Sequence, residues 1–224
     1  MIDLTLIIPA KKEKESLPTF LKEIENYECE KIIVLQKEDF ETKKSIEKIK
    51  NIKIYEQKNN GYGNALIEGI NQVKTKYCCI INADGSMDPK YLKNMRDECN
   101  DLDLVFASRY QKPGGGSEDD DIVTLVGNYI FTLMGNIFFN LKITDILYTY
   151  ILGKTSSFKK LDLLNSDFRI CVEIPIKAKF RKMSFKCLPS YERERIGGKK
   201  KVNALKDGLL ILSEIVKYFL RLKK

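Results

Sequence analysis

The segment Tyr77–Pro89, YCCIINADGSMDP, decides the fold class of this chain. Its first part, from Cys78 to Ile81, is an uninterrupted apolar run, which predicts a buried β-strand. Short polar and turn-forming residues follow the run, and Pro89 opens a helical pattern. Polar side chains directly after a buried strand are typical of the ligand site of an open α/β sheet. A plain strand-to-helix turn, with Asp88 as the helix N-cap, is the alternative interpretation.

The polar part of this segment also predicts a metal site. Asn82 and Asp84 lie two residues apart, and each carries a side-chain oxygen. Oxygen ligands two residues apart suit a hard divalent cation, and such a cation usually binds together with a substrate phosphate. We therefore expect a phosphate-bearing ligand at the carboxyl end of this strand.

Apolar runs alternate with helical patterns on both sides of this segment. The predicted strands are Leu4–Pro9, Lys31–Gln36, Ile52–Glu56, Cys78–Ile81 and Leu102–Ser108. Ser16 is the predicted N-cap of the first helix. Further helices are predicted over Phe40–Ile49, over Ala65–Val73 and from Pro89 to about Glu98. Short strands and helices are expected between Thr144 and Phe185, and Leu205–Leu222 is predicted as a final helix. The alternation predicts an α/β fold with a mostly parallel central sheet and helices on both faces.

Composition excludes several kinds of protein. The 224 residues are 43% apolar, which is enough to bury a substantial core. The chain has no histidine, which excludes catalytic triads and metal sites that depend on imidazole. Its six cysteines show no CxxC spacing, so we expect buried free thiols in a reducing compartment. The first residues lack the pattern of a signal peptide, and we expect a cytoplasmic protein.

The net charge of +8 is concentrated late in the sequence, in residues 193–206 and 221–224. Such clusters indicate an anionic partner, and a solvated lysine-rich surface is the alternative. Five cations surround Gly197-Gly198, and they predict a phosphate clamp: Arg193, Arg195, Lys199, Lys200 and Lys201. Nucleic acid is disfavoured as the partner, because aromatic residues do not interleave with the basic cluster.

Three segments of the second half have unusual compositions. Gln111–Asp121 contains three glycines and four acids, which predicts a mobile loop and, alternatively, a lid over the site. Ile122–Leu141 is apolar on most sides and predicts either a core helix or a helix that touches lipid. Leu205–Leu222 predicts an amphipathic helix that lies on a surface. We expect no membrane-spanning segment, because no run of about 18 uncharged apolar residues occurs.

Several motifs together resemble a known family. LTLIIPAKKEKESLP from Leu4, NNGYGNALIEGI from Asn59, the segment Tyr77–Pro89 and SRY at Ser108–Tyr110 resemble family-2 glycosyltransferases. YERERIGGKKKVNALKDGLLIL from Tyr191 is similar to a segment of polyprenyl-phosphate glycosyltransferases, such as dolichol-phosphate mannose synthases. The resemblance implies a single domain with the Rossmann-like GT-A fold. Residues 1–121 would form its nucleotide-sugar-binding half, and residues 122–224 an acceptor-binding half with interfacial helices.

The resemblance also implies a role for each matching position. Asn82-Ala83-Asp84 matches the family's Asp-x-Asp motif, so Asp84 would hold Mg2+ or Mn2+ on the donor diphosphate, with Asn82 and Ser86 as further ligands. Asp145 matches an acid after the interfacial helix, and Arg195 a phosphate-binding arginine; together with Asp84 they are the implied catalytic residues. A buried cap or an ion-pair partner is the alternative for Asp145. The implied substrate-binding residues are Pro9, Ala10, Glu13, Gln36, Gly61, Gly63, Arg109 and Lys201.

Three positions depart from the family pattern. Leu35-Gln36 replaces an acidic pair that contacts the base or ribose, so Gln36 would take that contact, or Glu38 or Asp39 would substitute. Asn82 replaces an aspartate, and its neutral amide is a weaker ligand for a hard cation. Lys200 stands where the family has serine.

The implied activity is a metal-dependent, inverting transfer of sugar from a nucleotide-diphosphate sugar to a membrane polyprenyl phosphate. We expect a peripheral protein at the inner, anionic face of the membrane. A lipid phosphate is ionised near neutral pH and needs no strong base, which fits the lack of histidine. A saccharide hydroxyl acceptor in surface-polysaccharide synthesis is the alternative and would need a carboxylate base, for which Asp145 is the candidate. A non-catalytic nucleotide-sugar-binding homologue is the third possibility.

Overall fold

The computed structural model describes residues 1–198 and 201–222. The strands are β1 (Leu4–Ala10), β2 (Glu30–Leu35), β3 (Lys53–Glu56), β4 (Tyr77–Ile80), β5 (Leu104–Ser108), β6 (Gly116–Ser117), β7 (Ile151–Lys154), β8 (Phe185–Pro189) and β9 (Tyr191–Glu192). The α-helices are α1 (Leu17–Glu23), α2 (Phe40–Ser45), α3 (Tyr62–Gln72), α4 (Leu92–Glu98), α5 (Ile122–Phe139), α6 (Thr155–Lys160), α7 (Ile170–Phe180) and α8 (Ala204–Leu222). The predicted alternation of strands and helices is confirmed.

One seven-stranded sheet forms the centre, with the strand order β3-β2-β1-β4-β7-β5-β8. Strands β3, β2, β1 and β4 run parallel, and β5 is parallel to β8. Strand β7 runs antiparallel to both of its neighbours, β4 and β5. The predicted mostly parallel sheet is therefore confirmed, with one antiparallel strand inserted. Because β7 and β8 lie beyond residue 121, the two halves expected from the sequence share one sheet.

The central strand β1 explains why the sheet strands are continuously apolar. All seven of its residues are buried, because helices cover both faces of the sheet. Successive side chains of a strand point to opposite faces. Leu6 and Ile8 thus join a core cluster with Phe20 of α1 and Met95 of α4, and Ile7 joins a second cluster with Leu66 of α3.

A third cluster holds helices α5, α7 and α8 together through buried residues such as Phe139, Ile176 and Ile215. Helix α5 has 18 residues with a mean hydropathy of 1.6, and only 22% of them are buried. By length and composition it is apolar enough to cross a membrane, so the expectation that no segment qualifies is wrong on this measure. Its interruptions, Gly127, Asn128, Gly135 and Asn136, carry no charge and do not break the helix.

Several boundaries differ from the sequence-based prediction. Helix α2 ends at Ser45, before the predicted end at Ile49, because the chain turns there to place Ile46 in the first core cluster. Helix α3 begins at Tyr62, inside the predicted turn. Ser16 occupies the N-cap position of α1 without capping it. Asp88 does cap, accepting a hydrogen bond from the backbone nitrogen of Lys90 in a short 3-10 helix.

All six cysteines are free, as predicted. Four of them are buried, and burial raises the pKa of the thiols of Cys78, Cys99 and Cys171 to about 12. The four buried cysteines pack in the core between the sheet and its helices.

Candidate active site

The carboxyl ends of β1, β2 and β4 lie side by side at one edge of the sheet. Ala10 at the end of β1 is paired with Leu35 at the end of β2, and β4 lies on the other side of β1. Gln36, directly after β2, and Asn82, two residues after the end of β4, therefore reach the same edge, together with Pro9. The structure thus brings these predicted residues together where an open α/β sheet binds its ligand.

Asp84 supplies a carboxylate to this edge. Its Oδ1 accepts hydrogen bonds from the backbone nitrogen of Ser86 at 3.1 Å and from the Ser86 hydroxyl at 2.9 Å. Its Oδ2 lies 3.6 Å from Nη1 of Arg195. One carboxylate oxygen therefore holds the turn after β4, and the other faces an arginine across the cleft.

Asn82 is held by a chain of hydroxyl groups. The Tyr62 hydroxyl donates to Oδ1 of Asn82 at 3.2 Å and lies 2.6 Å from Oγ1 of Thr149. Burial raises the pKa of Tyr62 far above its ordinary value, so the phenol stays neutral and can donate. These contacts fix the amide of Asn82 beside the turn that carries Asp84.

The side chains at this edge fit a cation that arrives with its substrate. Among residues 1–198 and 201–222, no three acidic or thiol side chains come together as a ready metal site. Mg2+ is commonly bound by one or two carboxylates together with substrate phosphates and water. Asp84 and Asn82 can supply such a pair of oxygens. Ser86 is 2% exposed and its hydroxyl donates to Asp84, so it supports the turn instead of facing a ligand.

Gly61 and Gly63 serve packing in this structure. A Cβ on Gly63 would collide with the carbonyl oxygen of Asn165, and one on Gly61 with that of Ser166. Gly61 also adopts a φ of +127°, which favours glycine. The close approach of residues 165–166 is therefore enough to require glycine at both positions. The substrate contact expected for the two glycines is not needed to explain them.

The segment 193–198 lies along the turn after β4. The backbone nitrogen of Arg193 donates to the carbonyl oxygen of Ser86 at 2.9 Å, and that of Ile196 to Asp84 at 2.8 Å. The Arg193 guanidinium binds both oxygens of Glu23. The basic segment thus docks on the predicted metal motif, although its members Lys199 and Lys200 lie outside the described residues.

Glu13 and Lys201 form an ion pair next to this segment. Glu13 is 6% exposed and also accepts a hydrogen bond from the Ser16 hydroxyl. Glu13 and Lys201, both predicted to bind substrate, therefore lie near the edge, but their charges pair with each other. Asp39, which could replace the family's acid after β2, accepts from the backbone nitrogens of Lys12 and Thr42.

Arg195 bridges two carboxylates. Its Nε and Nη2 donate to the two oxygens of Asp119 at 3.2 and 2.7 Å, and its Nη1 faces Asp84. The hydrogen bond to Asp119 raises the pKa of Arg195, burial opposes this shift, and the charge of Asp84 adds to it. Arg195 thus lies across the cleft from Asp84, and its role in catalysis stays a prediction.

The loop Gln111–Asp121 is more ordered than the sequence indicates. Its strand β6 pairs with β9, and Glu118 accepts hydrogen bonds from the Tyr191 hydroxyl and the Glu194 nitrogen. We call residues 117–121 the acidic strap. The prediction of a mobile loop overlooked these contacts, because the partners lie more than 70 positions later in the chain.

Arg109 lies in a buried ion cluster behind the strap. It donates to both oxygens of Asp145, at 2.8 and 3.1 Å, and to Asp120 and Glu192 at 3.1 Å each. Its side chain is 8% exposed. Burial alone would lower the pKa of Arg109, but the charge and hydrogen bonds of Asp145 raise it well above its ordinary value. This placement does not present Arg109 to a substrate phosphate.

Asp145 belongs to the same cluster. Its side chain is fully buried, and it accepts hydrogen bonds from Arg109 and, at 2.7 Å, from Asn128 of α5. It matches the alternative of an ion-pair partner, and its placement does not present it to an acceptor as a base.

Sequence reasoning missed four polar residues of this region. Tyr62 lies within the NNGYG motif, whose pattern predicts only a turn, and Thr149 belongs to no motif. Glu192 is one residue before the basic segment, and Asp119 lies within the acidic strap. Their roles depend on contacts distant in sequence, which spacing does not reveal.

A family model described as "Glycosyl transferase family 2" matches residues 5–162, well over half of the chain. The chain belongs to glycosyl transferase family 2. No curated protein matches its sequence. The matched residues include the carboxyl edge built by β1, β2 and β4. The match identifies the protein as a glycosyltransferase.

Solved structures confirm the fold of this glycosyltransferase. Glucosyl-3-phosphoglycerate synthase from Mycobacterium tuberculosis, solved with Mn2+ and UDP-glucose, aligns with a TM-score of 0.74 at 10% identity and covers 96% of this chain and 78% of its own. Mannosyl-3-phosphoglycerate synthase from Rubrobacter xylanophilus aligns with a TM-score of 0.63 at 15% identity, covering 97% and 72%. The fold is the GT-A fold of nucleotide-sugar transferases.

The edge offers the groups that glycosyl transfer requires. A leaving nucleoside diphosphate develops negative charge, which preorganised cations and hydrogen-bond donors stabilise. Asp84 and Asn82 can hold a cation at this position, and Arg195 can contribute a positive charge. The buried Arg109 cluster lies behind these groups and supports the strap.

Proposed function

We propose that this glycosyltransferase moves a sugar from a nucleotide-diphosphate sugar to a polyprenyl phosphate at an anionic membrane surface, with inversion at the sugar. Mg2+ or Mn2+ would bind Asp84 and Asn82 together with the donor diphosphate. The observation that carries this proposal is an exposed apolar surface on α5 and α8 that begins next to the candidate active site.

The donor and the metal are supported by the site and by the solved relatives. Glucosyl-3-phosphoglycerate synthase was solved with Mn2+ and UDP-glucose and also with Mg2+ and UDP. When bound, the cation would neutralise charge that develops on the leaving diphosphate. In this chain Asp84 provides the charged ligand, Asn82 a neutral one fixed by Tyr62, and Arg195 a guanidinium 3.6 Å from Asp84.

The apolar surface is formed by outward side chains of two packed helices. Ile122 and Tyr129 of α5 are 79% and 69% exposed, and Leu205 and Leu209 of α8 are 77% and 62% exposed. Further exposed members are Val123, Leu125, Val126, Ile130, Leu133, Ile137, Leu212, Val216 and Leu220. Large exposed apolar surfaces mark interaction sites, including membrane contacts.

Exposed cations flank the apolar surface. Lys142 follows α5, and Lys206 and Arg221 lie near the two ends of α8. Apolar burial at a membrane interface and attraction to anionic lipid act together, with each basic residue contributing on the order of 1 kcal/mol. Lys223 and Lys224, which were expected to add to this attraction, lie outside the described residues.

The apolar surface adjoins the site through the acidic strap. Asp121 at the end of the strap caps α5, and Asp119 within it binds Arg195. A lipid whose chain contacts α5 would therefore have its phosphate near the cleft. A lipid phosphate needs no general base, which agrees with the burial of Asp145 in an ion pair.

A small phosphorylated acceptor is a second candidate. The relatives with the same fold are named glucosyl-3-phosphoglycerate synthase and mannosyl-3-phosphoglycerate synthase. Such an acceptor would also bring an anionic group to Arg195. It would leave the apolar surface without a role, which is why we place it second.

The experiment has two steps. Thermal shifts with UDP- and GDP-sugars, with and without Mn2+, identify the donor, because a ligand of the native state stabilises it by mass action. Transfer from that donor is then measured with polyprenyl phosphate in phosphatidylserine liposomes and with 3-phosphoglycerate. We expect transfer to the lipid, and transfer to 3-phosphoglycerate alone would overturn the polyprenyl acceptor.

Membrane binding is tested with a matched pair of variants. Leu209→Glu places a charge in the apolar surface, and Leu164→Glu does the same at a leucine that is 72% exposed elsewhere. We expect the first to reduce co-flotation with phosphatidylserine liposomes several-fold and the second to leave it unchanged. High salt should partly release the wild type. Equal effects of the two substitutions, or no binding at low salt, would contradict a membrane contact through α5 and α8.

A further inference from the structure

Arg195 already holds an anionic group. Two of its nitrogens donate to the two carboxylate oxygens of Asp119, at 3.2 and 2.7 Å. This planar two-point contact is the geometry with which arginine binds phosphate. The remaining nitrogen, Nη1, faces Asp84 at 3.6 Å. Asp119 therefore occupies the side of Arg195 on which a phosphate held near Asp84 would bind.

The acidic strap has a fixed root and an accessible tip. At the root, Ser117 donates to Glu192 at 2.6 Å, and Asp120 pairs with Arg109 at 3.1 Å in the buried cluster. At the tip, Glu118 is exposed, and the Asp119 side chain is 18% exposed against 9% for Asp120. Because Tyr191 and Glu194 donate to Glu118, the strap backbone is held on both sides of Asp119, and the Asp119 side chain can release Arg195 while the strap stays in place.

Asp119 and a donor phosphate cannot both bind Arg195, because both are negatively charged. Residues 118–121 are four consecutive acids. A donor phosphate bound to Arg195 would place its charged oxygens beside the Asp119 carboxylate, and like charges at such distances repel. Resting on the function proposed above, we propose that Asp119 holds the place of a donor phosphate on Arg195 and thereby sets donor affinity, with the Asp119 side chain releasing Arg195 when the donor binds.

The test compares two strap variants of equal charge. Asp119→Asn and Glu118→Gln each remove one negative charge from the strap, but only the first weakens the ion pair with Arg195. Calorimetry measures the dissociation constants of inorganic pyrophosphate and of UDP-glucose with Mn2+. We expect Asp119→Asn to bind both about three- to tenfold more tightly than the wild type, and Glu118→Gln within about twofold of it. The difference should shrink as salt increases.

Two outcomes would overturn the proposal. Equal affinities in the two variants would mean that only net charge matters, and weaker binding by Asp119→Asn would mean that Asp119 assists the donor. Asp119→Ser, which cannot form the two-point contact, repeats the measurement, and melting temperatures verify that each variant folds.

The pyrophosphate arm separates this proposal from the donor assignment. If the wild type binds none of the nucleotide sugars, the proposed function fails. The comparison of Asp119→Asn with Glu118→Gln on pyrophosphate still decides whether Asp119 competes for Arg195.

Discussion

Arg109 and Arg195 carry the same charge, and both were expected to face substrate phosphates, but the protein places them in different surroundings. Arg109 is 8% exposed and lies among Asp120, Asp145 and Glu192. Arg195 is 21% exposed and contacts one carboxylate on the strap and one at the carboxyl edge of the sheet. Arg109 is enclosed by its three carboxylates in the interior. Arg195 faces its own two carboxylates across a cleft that is open to water.

The difference shows which buried charges can serve a ligand. Removing a charge from water costs several kcal/mol, and a buried ion pair must stay complete to offset that cost. Arg109 cannot leave its partners without exposing three carboxylates to an apolar interior. Arg195 can exchange Asp119 for another anion at much lower cost, because water already reaches the cleft. Charge and motif position alone do not distinguish the two cases, but burial of the partners does.

The largest effect should come from breaking the buried cluster. We expect Arg109→Met to lower the free energy of unfolding by about 3–5 kcal/mol, because it leaves buried carboxylates unpaired. Urea denaturation measures this. The control is Arg169→Met, which breaks the partly exposed pair with Asp167 and should cost less than about 1 kcal/mol. Similar losses for the two variants would show that the Arg109 cluster is not a special element of the fold.

Asp84→Asn should affect catalysis and not stability. The amide oxygen can still accept the two hydrogen bonds from Ser86, but the charge beside the cation is lost. We expect a loss of turnover of about a hundredfold or more, with an unchanged melting temperature. Asp88→Asn on the same loop keeps its N-cap contact and should retain activity. Full activity of Asp84→Asn would exclude a metal on this carboxylate.

Glu192 gives the cluster a pH dependence. Burial raises the pKa of Glu192 above its ordinary value of 4.5, although the charge of Arg109 opposes the shift. The folded protein therefore binds a proton more readily than the unfolded chain, so stability from this group is complete below pH 4.5 and is lost as the pH rises through the folded pKa. Relative to Glu192→Gln, the wild type should lose stability across that range, measured by urea denaturation between pH 4 and 8. A constant difference between the two proteins would contradict the shift.

The smallest effect concerns the neutral metal ligand. Asn82→Asp restores a charge at a position that Tyr62 already orients, and we expect several-fold tighter Mn2+ binding in the presence of donor. Tyr62→Phe removes the orienting hydroxyl and should weaken Mn2+ binding slightly. Titration of Mn2+ against the donor complex measures both. Unchanged affinity in Asn82→Asp would place the cation away from this side chain.

The sequence predicted the parallel part of the sheet well, because β1, β2 and β4 are apolar runs that helices bury on both faces. It also predicted the carboxyl edge with Asn82, Asp84 and Arg195. It did not predict β7, whose four residues resemble any short apolar segment. The roles of Arg109 and Asp145 depend on ion pairs of Arg109 with residues 11 to 83 positions later in the chain. The role of Asp119 depends on its ion pair with Arg195, 76 positions later. Local patterns carry no information about such pairs.

The antiparallel strand β7 has a consequence for how the chain acquires its structure. It lies between β4 and β5, yet it follows β5 in sequence by more than 40 residues. During synthesis, β4 and β5 therefore leave the ribosome without the strand that joins them, and each presents an open edge. A nascent chain that ends before Ile151 cannot complete the sheet, and pairing over such distances is slow because a long loop must close first. We expect the complete sheet, and with it the docking of residues 193–198 on the carboxyl edge, to form only after residues 151–154 have been made.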